Sequence, residues 1–226
     1  MLNKQGALKL EKQNASSSQE RRGIYRIELP GDDPWTIDEW TDFPRAFEQC
    51  YCFLYVFDND FKLRRPDLPD HVIRSLPYEG GFSYVNFFRG LRESLPSSAV
   101  PKLHAVHKAS SGLMELLLNP TVATGVATSA LAALKAGELL IQAAKRARKA
   151  LDEYKRGGIA ASAASMRELT KCKKELAALL GLKSVEALDK LTGGPELTVK
   201  LLLAYHRRLD KLVDEIKKGK IVLPLP

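Results

Sequence analysis

Apolar residues recur along this chain with two periods, and the period changes where the architecture should change. Ile24–Leu29 alternates apolar and polar positions and stops at Pro30-Gly31, the pattern of a half-buried strand. Ile37, Trp40, Phe43, Phe47, Cys50, Leu54 and Phe57 then fall three or four apart, one stripe of a helix. Thr36 followed by Glu39 is a capping box that opens it. Pro44 predicts a kink or a restart, with Asp42 as a second cap. The last part, Cys52–Phe57, is aromatic and β-branched and suits a strand equally well. Residues 58–81 read as a long loop with one short helical turn around His71–Ser75. Phe82–Leu95 resumes helical spacing through Tyr84, Phe87, Phe88 and Leu91 until Pro96 ends it. Leu103–Lys108 and Leu113–Leu118 flank Ala109–Gly112 as a β-hairpin would. Three strands suffice for a small sheet, covered on one face by the aromatic helices.

From residue 119 onward the period is helical. Asn119-Pro120 supplies a cap and a first-turn proline, and no stop is read until Gly157-Gly158. One helix over 120–156 is therefore predicted, roughly 50 Å long at 1.5 Å per residue. A return helix over 160–180 closes at Gly181, a short one over 184–191 at Gly193-Gly194, and a terminal helix spans 196–218 before Gly219. Within the last, Leu202, Leu209 and Ile216 recur every seven residues, as do Tyr205 and Leu212. Such a seam needs a partner helix, from this chain or from another copy. Lys220–Leu223 suits a terminal strand. The expectation is an α+β fold: a flexible arm over 1–22, a small α+β domain over 23–118 with a three-stranded sheet, and a helical domain over 119–226.

Charge sharpens this division. The 226 residues carry a net +8, but residues 23–80 hold 12 acidic against 6 basic side chains, and 81–226 hold 24 basic against 13 acidic. The simplest consequence is attraction between the halves or between subunits. Nucleic-acid binding through Lys145–Lys149, Lys171–Lys174 and Arg207-Arg208 is not favoured, since basic residues on long helices are commonly just solvated. Three cysteines make no even disulfide framework and point to a reducing, cytoplasmic setting. The stretch 113–144 is the one membrane candidate. Its apolar content is largely alanine, too weakly hydrophobic to favour spanning over burial.

Candidate chemistry is sparse. His104 and His107 point to opposite faces of a regular strand and so cannot chelate one ion. Cys50 and Cys52 lack metal spacing and read as small buried hydrophobes. Cys172, among lysines, is a candidate for some thiolate character. Asp32, Asp33, Asp38, Glu39 and Asp42 sit around a helix start, where the dipole favours them. No nucleotide, cofactor or metal signature emerges, and no catalytic residue is singled out. Tyr205-His206-Arg207-Arg208 is the most distinctive polar patch. Its arginines suit either a bidentate grip on an anion or ion pairs to the acidic half.

Three segments resemble a set of uncharacterised bacterial proteins. They are Tyr78-Glu79-Gly80-Gly81-Phe82-Ser83-Tyr84-Val85-Asn86-Phe87-Phe88, the strand–turn–strand around Ser110-Ser111-Gly112, and the close Leu197–Pro224 with its Tyr-His-Arg-Arg and Gly-Lys-Ile elements. The likeness implies a shared layout and carries no activity. The functional expectation is a non-enzymatic interaction or regulatory protein, self-associating as a homo-oligomer through its long helices by way of Leu202, Leu209, Ile216 and Tyr205–Arg208. The alternatives are a nucleic-acid binder and an effector acting on membranes through 113–144.

Overall fold

The computed structural model describes residues 22–30, 34–57, 73, 81–107, 112–157, 163–182 and 185–224. Of the predicted arm only Arg22 is included; the loop 58–80, apart from Ile73, and the hairpin turn lie outside these residues. Three strands, β1 (Gly23–Leu29), β2 (Lys102–His107) and β3 (Gly112–Leu118), form an antiparallel sheet in the order β1-β3-β2. Seven helices are described: α1 (Ile37–Phe57), α2 (Gly81–Ser94), α3 (Pro120–Ala136), α4 (Glu138–Gly157), α5 (Ala163–Leu179), α6 (Glu186–Thr192) and α7 (Pro195–Lys217). The α+β class and the mostly helical second half are as expected. After α7 the chain returns to the sheet, where Val222 and Glu28 exchange both backbone hydrogen bonds at 2.9 and 3.1 Å. The expected terminal strand is thus a single bridge on the free edge of β1.

The capping box at the start of α1 forms in full. Thr36 N–H donates to Glu39 Oε2 at 2.9 Å, and Glu39 N–H donates to Thr36 Oγ1 at 3.2 Å. Beyond it the stripe expected through Phe57 forms as one helix of 21 residues that runs through Pro44, without the restart at Asp42 and without the strand alternative at Cys52–Phe57. Pro44 removes the donor to the Trp40 carbonyl. Tertiary burial outweighs that loss, because Phe43, Ala46, Phe47 and nearly every residue from Cys50 to Phe57 are buried. Full burial of one such side chain is worth about 1.5–3 kcal/mol. Strand-like composition in Cys52–Phe57 thus reflects a helix surrounded on all sides, packed against α2, α3 and α7.

The single long helix predicted over 120–156 is broken. Asn119 caps α3 as expected, its side chain accepting from Thr121 N–H at 3.0 Å. At Gly137 the backbone adopts φ +47°, ψ −119°, a conformation that a side chain disfavours and glycine tolerates. Gly137 N–H closes the last turn of α3 on Ala133 O, and its carbonyl accepts from Ile141 to open α4. The two helices meet at 94°. Among the described residues no single helix is long and apolar enough to cross a membrane; α3 and α4 meet that test only as this bent pair. The alanine-rich face of α3 (Ala123, Ala127, Ala130 and Ala133) is buried, in a helix packed against α1 and α7.

One apolar cluster runs from Tyr25 on β1 to Leu223 after α7. It crosses the boundary drawn at residue 118, because α1 packs against α3 and α7. Near that boundary Asn119 N–H donates to the buried Tyr51 hydroxyl at 3.1 Å.

Candidate functional site

The residues expected to form an interaction surface on α7 are mostly core. Leu202 and Leu209 are fully buried, as are Tyr205 and Leu212, and Ile216 is partly buried against the same cluster. Their partner helices are α1, α3 and α5 of this chain. The heptad seam is therefore satisfied within this chain, the first of the two partners that its spacing allowed. Tyr205 stacks on Phe53 with centroids 4.5 Å apart and planes at 17°. Its hydroxyl faces Ser129 without a well-formed hydrogen bond, and burial raises its pKa far above the tyrosine range.

Successive helical residues diverge by about 100°, so the patch Tyr205–Arg208 fans apart. His206 is only 4% exposed. Its Nε2 lies 3.8 Å from Asp210 Oδ1, and neither ring nitrogen has a hydrogen bond. Burial lowers its pKa; Asp210 opposes this, while Arg148 and Arg207 reinforce it. Arg207 is exposed. Arg208 is half-buried with its guanidinium 5.2 Å from the Phe88 ring centre on α2. The two arginines thus leave the helix in different directions.

The predicted attraction between acidic and basic segments is realised in part by lysines at the end of α7 and just after it. α1 and α7 run antiparallel, so the acidic start of one meets the basic end of the other. Lys211 Nζ lies 2.7 Å from Asp42 Oδ2, and Lys220 pairs with Glu39. The Lys220 hydrogen bond, joined by the Thr36 backbone bond, lowers Glu39 to about 2. Lys211 lowers Asp42, with smaller contributions from Arg45 and Arg208.

A polar network that sequence reading did not single out surrounds Asp189. Its carboxylate takes Lys173 on one oxygen and the Thr198 hydroxyl at 2.8 Å on the other, and Thr192 and Thr198 share a hydrogen bond at 2.7 Å. Charged Lys173 among neighbours of both signs gave no cue. The network is mutually satisfied and ties α5, α6 and α7 together.

The cysteines behave as core. Cys50 and Cys52 are buried and burial raises both thiols. Cys172 is also buried; desolvation, followed by Glu168 and Glu175, raises its pKa, against the expected thiolate character. His104 and His107 bring a different correction. A register shift between Leu103 and Ala105 inserts His104 as an extra residue, and a bulge of this kind cancels strict alternation. Both imidazoles then lie near Glu115, whose pKa is lowered first by its hydrogen bond from Arg26 and also by His107 and His104. Among the described residues no group of three His, Cys, Asp or Glu side chains is placed to hold a metal.

One surface remains unspent. β2 is an edge strand, and among the described residues its outer side pairs with nothing. Leu103 and Val106 pair with Leu116 and Met114, whose side chains are buried on the inner face, yet they stay 62% and 43% exposed. Beside the start of β2 lies a groove of about 390 Å³ between α1 and the sheet, walled by Trp40, Phe43, Phe47, Leu103, Met114 and Leu116. Arg45, Glu48 and Lys102 also line it. No family model, curated protein or solved structure matches this chain. The reading of the site therefore stands on its geometry.

Proposed function

We propose that this chain is a non-enzymatic protein-interaction module whose working surface is the β2 edge and the groove beside it. The observation that carries the reading is the pair Leu103 and Val106, apolar residues on the core-facing side of the sheet that stay exposed among the described residues. Edge strands with free backbone groups bind extended segments by strand addition, and an uncovered apolar patch supplies the driving force. Natural proteins blunt edges that must stay solitary with lysines and bulges. Here Lys102 and the irregularity at His104 disfavour indiscriminate pairing while leaving the apolar pair open. Self-association remains one form of this reading, moved from the α7 seam to the sheet edge. The nucleic-acid alternative is less supported, because Arg146 is paired with Glu175 and Lys149 with Glu153.

A photo-crosslinking residue at Leu103, in cells that produce the protein, should give a discrete adduct that Val106→Lys abolishes. The same residue at Leu139 on α4, another exposed apolar position, should give none. Absence of an adduct from Leu103, together with a strict monomer by light scattering at high concentration, would sink the proposal.

A further inference from the structure

Resting on that reading, we infer that the occupant of the β2 edge is an extended peptide segment with alternating apolar residues and acidic flanks, supplied by a partner protein.

The argument begins with pairing geometry. A strand laid beside β2 continues the sheet at 4.7–4.9 Å spacing. Its alternate side chains then stand next to Leu103 and Val106 on the inner face. Two β-branched residues in those positions would cover what is now exposed, and one at the Leu103 end would reach the groove walled by Trp40 and Phe43. Residues between them face outward and need not be apolar. The occupant is thus a period-two sequence, which excludes an amphipathic helix.

Charge at the rim then selects among such sequences. Among the described residues Lys102 has no carboxylate partner. Arg45 stands near Asp42, whose carboxylate is already held by Lys211. The acidic residue lining the groove, Glu48, is engaged by Arg92 at 2.7 Å. Among the described residues the rim therefore presents Lys102 without a carboxylate partner, Arg45 sharing Asp42 with Lys211, and one anion, Glu48, that is already paired. Acidic residues beside the apolar pair complement this arrangement, whereas basic ones are repelled. A second copy of this chain would bring the same Lys102 and Arg45 to the contact. The charge pattern favours a different protein.

The test uses fluorescence anisotropy with the full chain and three labelled nonapeptides. The first is Asp-Glu-Thr-Val-Thr-Val-Thr-Glu-Asp. The second has lysine at all four acidic positions, and the third has proline in place of the central threonine. The acidic peptide is expected to saturate, with the lysine peptide weaker by about fivefold or more. The proline peptide should bind poorly, because proline removes a ladder donor. Leu103→Glu should abolish binding, with a melting temperature close to the parent's as its folding control. Lys102→Glu should weaken the acidic peptide and strengthen the lysine one, and Leu139→Glu should change nothing. Equal binding of both charge forms, still lost in Leu103→Glu, would overturn the inferred occupant and leave the interaction surface standing. A dimer seen by light scattering and abolished by Leu103→Glu, without peptide binding, would make the occupant a second copy. Neither binding nor dimer would overturn both this inference and the reading beneath it.

Discussion

Helix α7 and strand β2 both turn apolar residues toward the core side of their layer, yet the molecule treats them oppositely. In α7 the seam Leu202, Tyr205, Leu209 and Leu212 is fully buried, with Tyr205 stacked on Phe53 and one end of the helix pair fastened by Lys211–Asp42 and Lys220–Glu39. In β2 the two inward residues stay in water and the outer backbone edge is unpaired among the described residues. Periodicity marks the α7 seam as a face that needs cover, and the ladder register places Leu103 and Val106 on another. Only the presence of neighbours distinguishes a face that holds the fold together from one open to a partner.

The largest effect should follow from cutting into the first region. Tyr205→Ala leaves a cavity beside Phe53 and should cost about 3–5 kcal/mol in chemical denaturation. Tyr205→Phe should be close to neutral, since the hydroxyl it removes lacks a well-formed hydrogen bond. A large loss in Tyr205→Phe would show that the hydroxyl, and not the ring, matters there.

Gly137→Ala should come next, at about 1–3 kcal/mol, because alanine is strained at this positive φ. If circular dichroism showed more helix and small-angle scattering a longer particle, the straight helix suggested by the local sequence would have been restored.

Acid should then separate the ties that hold α7. Burial holds the His206 pKa below the ordinary 6.5. Its stabilising contribution is present above that value and is lost as pH falls from 6.5 toward the lower folded value. Glu39 is shifted from 4.5 to about 2, so its contribution is present above 4.5 and disappears as pH falls through that lower range. Melting curves against pH should show two successive declines. His206→Leu should remove the earlier decline and Glu39→Gln the later one.

The smallest effect on stability belongs to β2. Leu103→Glu and Val106→Lys alter exposed positions and should stay within about 0.5 kcal/mol of the parent, measured by the same denaturation. Their consequence should appear in binding. A loss comparable to that of Tyr205→Ala would mean that the edge is structural, and the contrast between the two regions would collapse.

Much of the local structure was legible before any coordinates. Thr36 with Glu39 marked a helix start, Asn119-Pro120 another, and the alternation in Ile24–Leu29 a strand, because capping and pleating depend on residues a few positions apart. The break at Gly137 carries a local signal as well. Lys135 in the last turn of α3 and Glu138 in the first turn of α4 are the charges that a helix end and a helix start favour. The candidate site was less accessible. Tyr205–Arg208 looked like a patch in one dimension and fans around the helix in three. His104 and His107 obeyed alternation on paper until an inserted residue in the ladder cancelled it. The exposure of Leu103 and Val106 has no local signal, because nothing within a few residues of them shows what packs on that part of the sheet.

The amino-acid order by itself determined which positions are apolar, where most helices and strands begin and stop, and that the class is α+β with a helical second half. These follow from torsional preferences, caps and side-chain periods, which act within a few residues. Tertiary structure alone decided that the α7 seam is filled from within, that α1 continues through Pro44, and that Leu103 and Val106 remain in water. Burial is a property of neighbours brought together from distant parts of the chain, and the free energy of covering an apolar face depends on what arrives there, which no short window of residues contains.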